Sequence, residues 1–588
     1  MIAVTVLKKN AIILVIFLLV FGLYCWSMII AFPLYSATSN TNPFAMIQSL
    51  PPQHYFALIL LVLLCFACVF YDVKRKYLHI ALLVQLAMIL WFTPYYLSGF
   101  SYVNDSLMQV GVSHNIPVVL KSTSSIEAVT YGDEYPISFI LNYLLMTVSG
   151  IDSFTYSRIV YPIFTSIALV FFWYVFFCHF FKPKVAFLSV VIAALALGSV
   201  PQVYVSPNSL GTILLLTVVT LLLTRSGIKS SMLGFILSFI LILTHVISPI
   251  ILIFFLLAWQ ISTFVTRSQK SFSLGYGTFS IIIGWFAWTF YHASKTALIT
   301  VSGILKVLTL KFPNELGEIV NRSTSTTHSI FPAINIATKA LDYGTVAIAL
   351  IFFCQSLISL RARASTKRFL LQFLTKMHFK ELLFLTLAIL FFAFSLIIAF
   401  SGIGGWGFYV RSYFFFVFTI SAYIAFNFIN GKSRWPRFKK YVKIAVVFWF
   451  SFAALIYPLV SYQVASYSSY PPSEGSGLGF LSSHAALNQK SISMYLSVHL
   501  LSYVDPRTEF IARPFNMSDI ARSVDSHNIS DIVVFRRSMY FNIVLEYDFN
   551  LSNNSYIRAI NKIDNISCVD KVYSNPSFEV YISILNQR

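Results

Sequence analysis

Long apolar runs separated by short polar loops set the plan of this chain. The first run, 11–31, is followed by others at 54–71, 78–97, 158–181, 185–200, 208–224, 231–244, 248–266, 275–292, 343–360, 382–401, 412–430 and 444–462. Most approach the roughly 20 residues that a helix needs to cross the hydrocarbon core. They are too long for the strands of a membrane barrel, and only helices and closed barrels satisfy the backbone in lipid. The pattern predicts about 13 transmembrane helices. The stretch 231–266 reads either as one long helix or as two, broken at Thr244-His245-Val246-Ile247-Ser248-Pro249.

Beyond 463 the period changes. A linker-like SSYPPSEGSG run opens this part, IVVFRR (532–537) and FEVYIS (578–583) read as strands, and 518–528 reads as a helix with Ser518 as N-cap. The expected architecture is a polytopic α-helical membrane protein with a small exterior α/β C-terminal domain. Its parts are a two-helix membrane segment at 1–77, a transmembrane domain at 78–462 with an exterior loop at 98–157, and the exterior domain at 463–588.

Charge orients the helices. Short loops rich in Lys and Arg stay in the cytoplasm. Here they are Lys8-Lys9, 74–76, Lys182/Lys184, Arg225/Lys229, Arg267/Lys270, 361–368 and 432–443, and a count of 13 puts all of them on one side. This favours two helices in 231–266, because one would leave Arg267 and Lys270 outside. The N-terminus is then cytoplasmic and the C-terminal domain exterior, in a multi-pass protein of the cell membrane. N-glycosylation acceptors at Asn104, Asn321, Asn516, Asn528, Asn550, Asn553 and Asn565 all fall on the exterior side. Of the 21 Asp and Glu, only Asp72 and Glu381 fall on the cytoplasmic side.

Composition fits this class. The chain is 57% hydrophobic and 11% charged, against about 25% charged in soluble domains. Its net charge of +20 belongs to topology and anionic headgroups rather than to nucleic acid. Cys25, Cys65, Cys68, Cys178 and Cys354 lie in spans as small apolar residues, and Cys568 is alone in the exterior domain.

Candidate chemistry gathers at the exterior ends of the spans. Asp105 follows the third span closely. Asp133-Glu134 precedes Tyr135-Pro136 and SFILNYLLMTVSG, an apolar stretch too short to span that reads as a helix lying in the interface. A carboxylate at that depth can act as general base on a hydroxyl, and Asp105 with Asp133 could ligate a divalent cation. Loop carboxylates are also often just solvated or cap helices. Arg411, in GFYVRSYFFF, could pair with a lipid-linked phosphate or snorkel to headgroups. His245 and Ser206-Pro207-Asn208 are polar points at helix ends, more often breaks than ligands. Arg158, His292 and Lys295 are further exterior cations of lower rank.

At these residues the chain resembles the GT-C superfamily of integral-membrane glycosyltransferases, which includes oligosaccharyltransferase, protein mannosyltransferase and aminoarabinose transferase-like enzymes. The resemblance rests on Asp105 after an early span, on Asp133-Glu134 before YPISFILNYLLMTVSG, on YVRSYFFFVFTISAYIAF, and on the tail KVYSNPSFEVYI. It covers most of 78–588; the two preceding spans are a departure, and the Trp-Trp-Asp hallmark of oligosaccharyltransferase is absent. The resemblance implies inverting transfer of a hexosyl or pentosyl group from a polyprenyl-phosphate donor, with a carboxylate base. It implies Asp105, Asp133 and Glu134 as catalytic residues, Arg411 and His245 as ligands of the donor phosphate, and a protein or lipid acceptor. Partners would be that lipid-linked donor and membrane lipid, with no nucleic acid.

Two other classes compete. A non-catalytic relative would keep the fold as a scaffold or glycan-binding protein. A transporter or lipid flippase fits less well, because ion-coupled carriers place charges at mid-membrane and no Asp, Glu, Lys or Arg lies deep in these spans.

Overall fold

The computed structural model describes residues 2–38, 45–71, 73, 76–98, 104–114, 116–119, 132–196, 203–224, 228–266, 274–293, 332–361, 378–401, 405–430, 436–468, 491–493, 532–536, 569–575 and 578–583. Its longer helices are α1 (Ile2–Thr38), α2 (Pro52–Phe70), α3 (Lys76–Ala87), α4 (Asn104–His114), α5 (Ile137–Ser149), α6 (Tyr161–Phe180), α7 (Pro183–Ala196) and α8 (Pro207–Thr224). There follow α9 (Ile228–Thr244), α10 (Ser248–Thr266), α11 (Leu274–Tyr291), α12 (Pro332–Arg361), α13 (Phe379–Ser401), α14 (Gly405–Asn430) and α15 (Pro436–Ser468). Among the described residues, eight helical stretches are long and apolar enough to cross a membrane. The chain is therefore an integral, multi-pass helical membrane protein. Each predicted span falls on helical residues, that at 78–97 on α3 together with a π turn at Met88–Phe92 and a short helix at Thr93–Ser98 that continue it, although five of the spans have shorter apolar stretches than the eight.

The two-helix expectation for 231–266 holds, with α9 and α10 separated by His245, Val246 and Ile247. Several ends differ from expectation. Residues 402–411 read as a glycine-rich loop, yet α14 already begins at Gly405, so Arg411 lies in its second turn. In the same way α12 starts at Pro332 rather than 343, and α15 runs on to Ser468 past the boundary expected at 463. Hydropathy marks where lipid begins. The backbone hydrogen-bond ladder continues past that depth, in α15 even beyond Pro458, which removes only one bond of the ladder. At about 1.5 Å per residue, the 33 residues of α15 reach roughly 50 Å, well beyond a core of about 30 Å.

The centre of the bundle is aromatic. Phe177 of α6 stacks on Phe418 of α14 at 4.6 Å and meets Phe384 of α13 at 5.8 Å. Trp173 meets Trp91 edge-on at 5.4 Å and Phe418 at 5.3 Å. In lipid, helices associate mainly through van der Waals packing, and interlocked rings supply much contact area with no polar group to satisfy. Tight approaches use small residues. A Cβ at Gly344 of α12 would overlap the Trp449 indole of α15.

The described residues after 468 form one mixed sheet of β1 (Ser491–Ser493), β2 (Ile532–Arg536), β3 (Val569–Asn575) and β4 (Phe578–Ser583), in the order β1-β2-β4-β3. β2 and β4 coincide with the two expected strands and pair antiparallel, Ile532 opposite Ile582. β3 and β4 form a hairpin with an irregularity between Lys571 and Tyr573. β1 runs parallel to β2, which requires a crossover connection. The helix expected at 518–528 falls in the sequence between them and lies outside the described residues; Lys295, Cys568 and the acceptor asparagines other than Asn104 lie outside the described residues as well.

Candidate active site

The site is built where α4, α5 and α6 meet the first turns of α8 and α10 and the end of α11. Asp105 was expected in a loop. It lies instead in the first turn of α4, where a carboxylate suits the positive end of the helix dipole. The side chains of Asp105 and Arg411 are outside the described residues.

Pro136 stands at the N-cap of α5, and Gly150 ends the helix with φ 65°, the left-handed cap that glycine adopts without strain. The 13 residues of α5 rise only about 20 Å at 1.5 Å each, too short to span. Ser138, Phe139, Asn142 and Met146 are buried, while Leu141, Leu144, Leu145 and Val148 are exposed. The polar side thus faces protein and the leucine side faces outward, as suits a helix lying against lipid.

Asp133 and Glu134 are pinned through their backbone. Trp288 Nε1 donates to the Glu134 carbonyl at 3.0 Å, and His292 Nε2 lies 3.3 Å from the Asp133 carbonyl. The two donor rings pack at 4.4 Å. Glu134 and Tyr135 are buried and Asp133 is half-buried. These hydrogen bonds fix the acidic turn to the end of α11 from 154 residues away in sequence. His292, ranked low from sequence, thus holds the turn.

A second anchor joins α5 to the start of α6. Tyr156 Oη donates to Asn142 Oδ1 at 2.8 Å. Val110, Met146, Tyr156, Tyr161 and Val205 form a small apolar cluster of their own beneath it. Thr165 Oγ1 donates to the Val203 carbonyl at 2.8 Å. Ser206 is the N-cap of α8: its Oγ accepts from the Ser209 N–H at 3.4 Å, and Pro207 fills the first helical position, where no N–H is needed. This accounts for Ser206-Pro207-Asn208 as a helix start.

His245 is buried in the break between α9 and α10. Its Nδ1 accepts from the Ser248 N–H at 3.3 Å and lies 3.0 Å from Ser248 Oγ. The imidazole therefore caps α10. Gly211 of α8 lies against this pair, and a Cβ there would come within 2.8 Å of Ser248 Oγ and 3.3 Å of His245 Cβ.

Arg158 was given a lower rank from sequence. It sits in the π-helical turn Tyr156–Val160 that leads into α6, and such turns frequently mark functional sites. It is half-buried, and its Nε has no hydrogen-bond partner among the described residues. The turn packs against Thr93–Ser98 and against α4, the helix that carries Asp105. The sequence signal was a lone Arg at an apolar helix end, which looks the same when it merely snorkels.

Among the described residues, no group of three or more His, Cys, Asp or Glu could hold a metal ion. The Asp105–Asp133 cation pair expected from sequence involves a side chain outside that set.

No protein-family model matches the sequence, and no curated protein matches it. Solved structures do show likeness. The Archaeoglobus fulgidus oligosaccharyltransferase, tethered to an acceptor peptide containing the NVT sequon, is 12% identical over 81% of this chain and 71% of its own, with a TM-score of 0.46. ArnT from Cupriavidus metallidurans bound to undecaprenyl phosphate is 11% identical over 85% of this chain and 97% of its own, at 0.34. The same protein in the apo state is 10% identical over the same shares, at 0.36. All three scores are too low to define a shared active site, so the chemistry rests on this chain's own residues.

Proposed function

We propose that the protein is a GT-C-like membrane glycosyltransferase. It moves a hexosyl or pentosyl group from a polyprenyl-phosphate donor to an acceptor hydroxyl at the exterior membrane face, with inversion. The observation that carries this reading is the gathering of acidic and basic elements at one end of the bundle. The helix of Asp105 packs on the turn of Arg158, and the Asp133-Glu134 turn is fixed beside them through α5.

Asp105 takes the acceptor proton while the acceptor oxygen bonds to the anomeric carbon. The bond from that carbon to the donor phosphate oxygen breaks, and its electron pair leaves with the phosphate. A placed carboxylate contributes about 10²–10⁴-fold to such a step. Asp133 and Glu134 order the acceptor. Arg411 and Arg158 meet the charge growing on the leaving phosphate, which preorganised cations stabilise. His245 acts on the donor through its hold on the first turn of α10. The reading also takes 13 spans, a cytoplasmic N-terminus and an exterior α/β domain after α15 that covers the site.

The test is transfer by purified protein from a panel of polyprenyl-phosphate sugars. Asp105→Asn keeps size and loses the base, so turnover should fall about 10²–10⁴-fold while donor binding survives. Arg411→Ala and Arg158→Ala should weaken donor binding. Undiminished transfer by Asp105→Asn would remove the base. Failure of the wild type to transfer from any donor in the panel would favour the non-catalytic, glycan-binding reading.

A further inference from the structure

At the opposite end of the bundle, α2 and α15 leave a groove of about 720 Å³ between them. Its walls are apolar, from Leu63 and Phe70 on α2 and Ile444 and Phe448 on α15, and all four side chains are exposed. Lys440 and Lys443 stand at one end and Ser451 at the other. The eight positions from Lys443 to Ser451 correspond to roughly 12 Å along the helix. Lys443 Nζ lies 5.1 Å from the centre of the Phe428 ring, which holds one ammonium at the mouth.

Two further features fix the depth. Tyr71, Tyr77 and Tyr441 are exposed at this level, and tyrosines collect where hydrocarbon gives way to headgroups. The sequence there is strongly basic, with Lys432, Arg434, Arg437 and Lys439 ahead of the two groove lysines and Lys74-Arg75-Lys76 just after α2. Clusters of four to eight Lys and Arg beside a transmembrane helix attract anionic lipid. An apolar trough running about 12 Å inward from paired ammonium groups has the shape and charge of a phospholipid: a phosphate at the lysines, an acyl chain along the trough.

We propose that this groove holds an anionic phospholipid of the leaflet on the basic-loop side. The site is separate from the acidic end of the bundle and does not depend on the glycosyltransferase reading. A lipid lodged there fills the gap between α2, in the N-terminal pair of helices, and α15, which leads to the sheet-forming segment.

The test uses the full-length protein in detergent, titrated with phosphatidylglycerol and separately with phosphatidylcholine of the same chains. Bound lipid is read by native mass spectrometry. Two lysines predict a preference for phosphatidylglycerol of about 30-fold, roughly fivefold per charge. Lys440→Gln should cost about fivefold of that preference, and Lys440→Gln with Lys443→Gln should bring the two lipids level. Leu63→Trp narrows the trough and should lower occupancy by both lipids while the preference stays. Equal binding of the two lipids by wild type would overturn the proposal. So would a preference that survives the double substitution, or occupancy unchanged by Leu63→Trp.

Discussion

The middle of the bundle is densely buried and its acidic end only partly so, and the two are held by different forces. Around Phe177 the contacts are ring on ring, with Phe384 and Phe418 supplied by two other helices. At the acidic end the fixed points are polar and directional: Trp288 on the Glu134 carbonyl, Tyr156 on Asn142, His245 on Ser248. Ring packing sets how far apart helices stand and tolerates small rotations. Hydrogen bonds set where a backbone turn points. A bundle can therefore draw its stability from one region and the aim of its reacting groups from the other.

Substitutions can separate the two. The largest loss of stability is expected at Phe177→Ala, about 3–5 kcal/mol as for buried aromatic truncations. It should appear as a lower thermal midpoint in detergent, with transfer per folded molecule unchanged at low temperature. Gly344→Ala comes next. Its methyl must displace the Trp449 indole, and overpacking of this kind costs about 1–3 kcal/mol, read as a lower midpoint that Trp449→Leu in the same chain partly restores. Trp288→Phe removes one donor to Glu134 at a cost of about 0.5–1.5 kcal/mol. Its mark should be a fall in turnover out of proportion to the small shift in melting. If turnover and melting instead fall together, the acidic turn is merely structural. Tyr156→Phe is expected to be the mildest, near the ~0.6 kcal/mol average for hydrogen bonds inside membrane proteins. Faster proteolysis at α5 in folded protein would report it.

The helices were legible in the sequence because lipid imposes one demand, a long apolar run, and every predicted span lies on helical residues. The break at His245–Ile247 was legible from its Ser-Pro start and from the charges that follow it. Helix ends were less so, since nothing in the composition of Gly405–Arg411 distinguishes a glycine-rich loop from a glycine-rich first turn. In the site, the short helix that follows Asp133 and Glu134 was readable. Their anchoring was not, because Trp288 and His292 lie over 150 positions away and no local period signals such a contact. The place of Arg158 was not readable either, because a π turn has no sequence pattern that sets it apart from an ordinary helical start.

That π turn also bears on what insertions and deletions the gene can accept. Across most of a membrane helix, losing one residue rotates all that follows by about 100°, exchanging the face that meets lipid for the face that meets protein. A deletion within α7, whose residues from Val185 to Ala196 are all buried, would carry that misalignment along the rest of the helix. Tyr156–Val160 already contains the surplus residue that a π turn accommodates. Removing one there returns the turn to ordinary α winding and leaves α6 facing as before. A one-residue deletion should therefore be tolerated at this turn, as at the other described π turn, Met88–Phe92, and here it would move Arg158 relative to Asp105 while the membrane bundle stays intact.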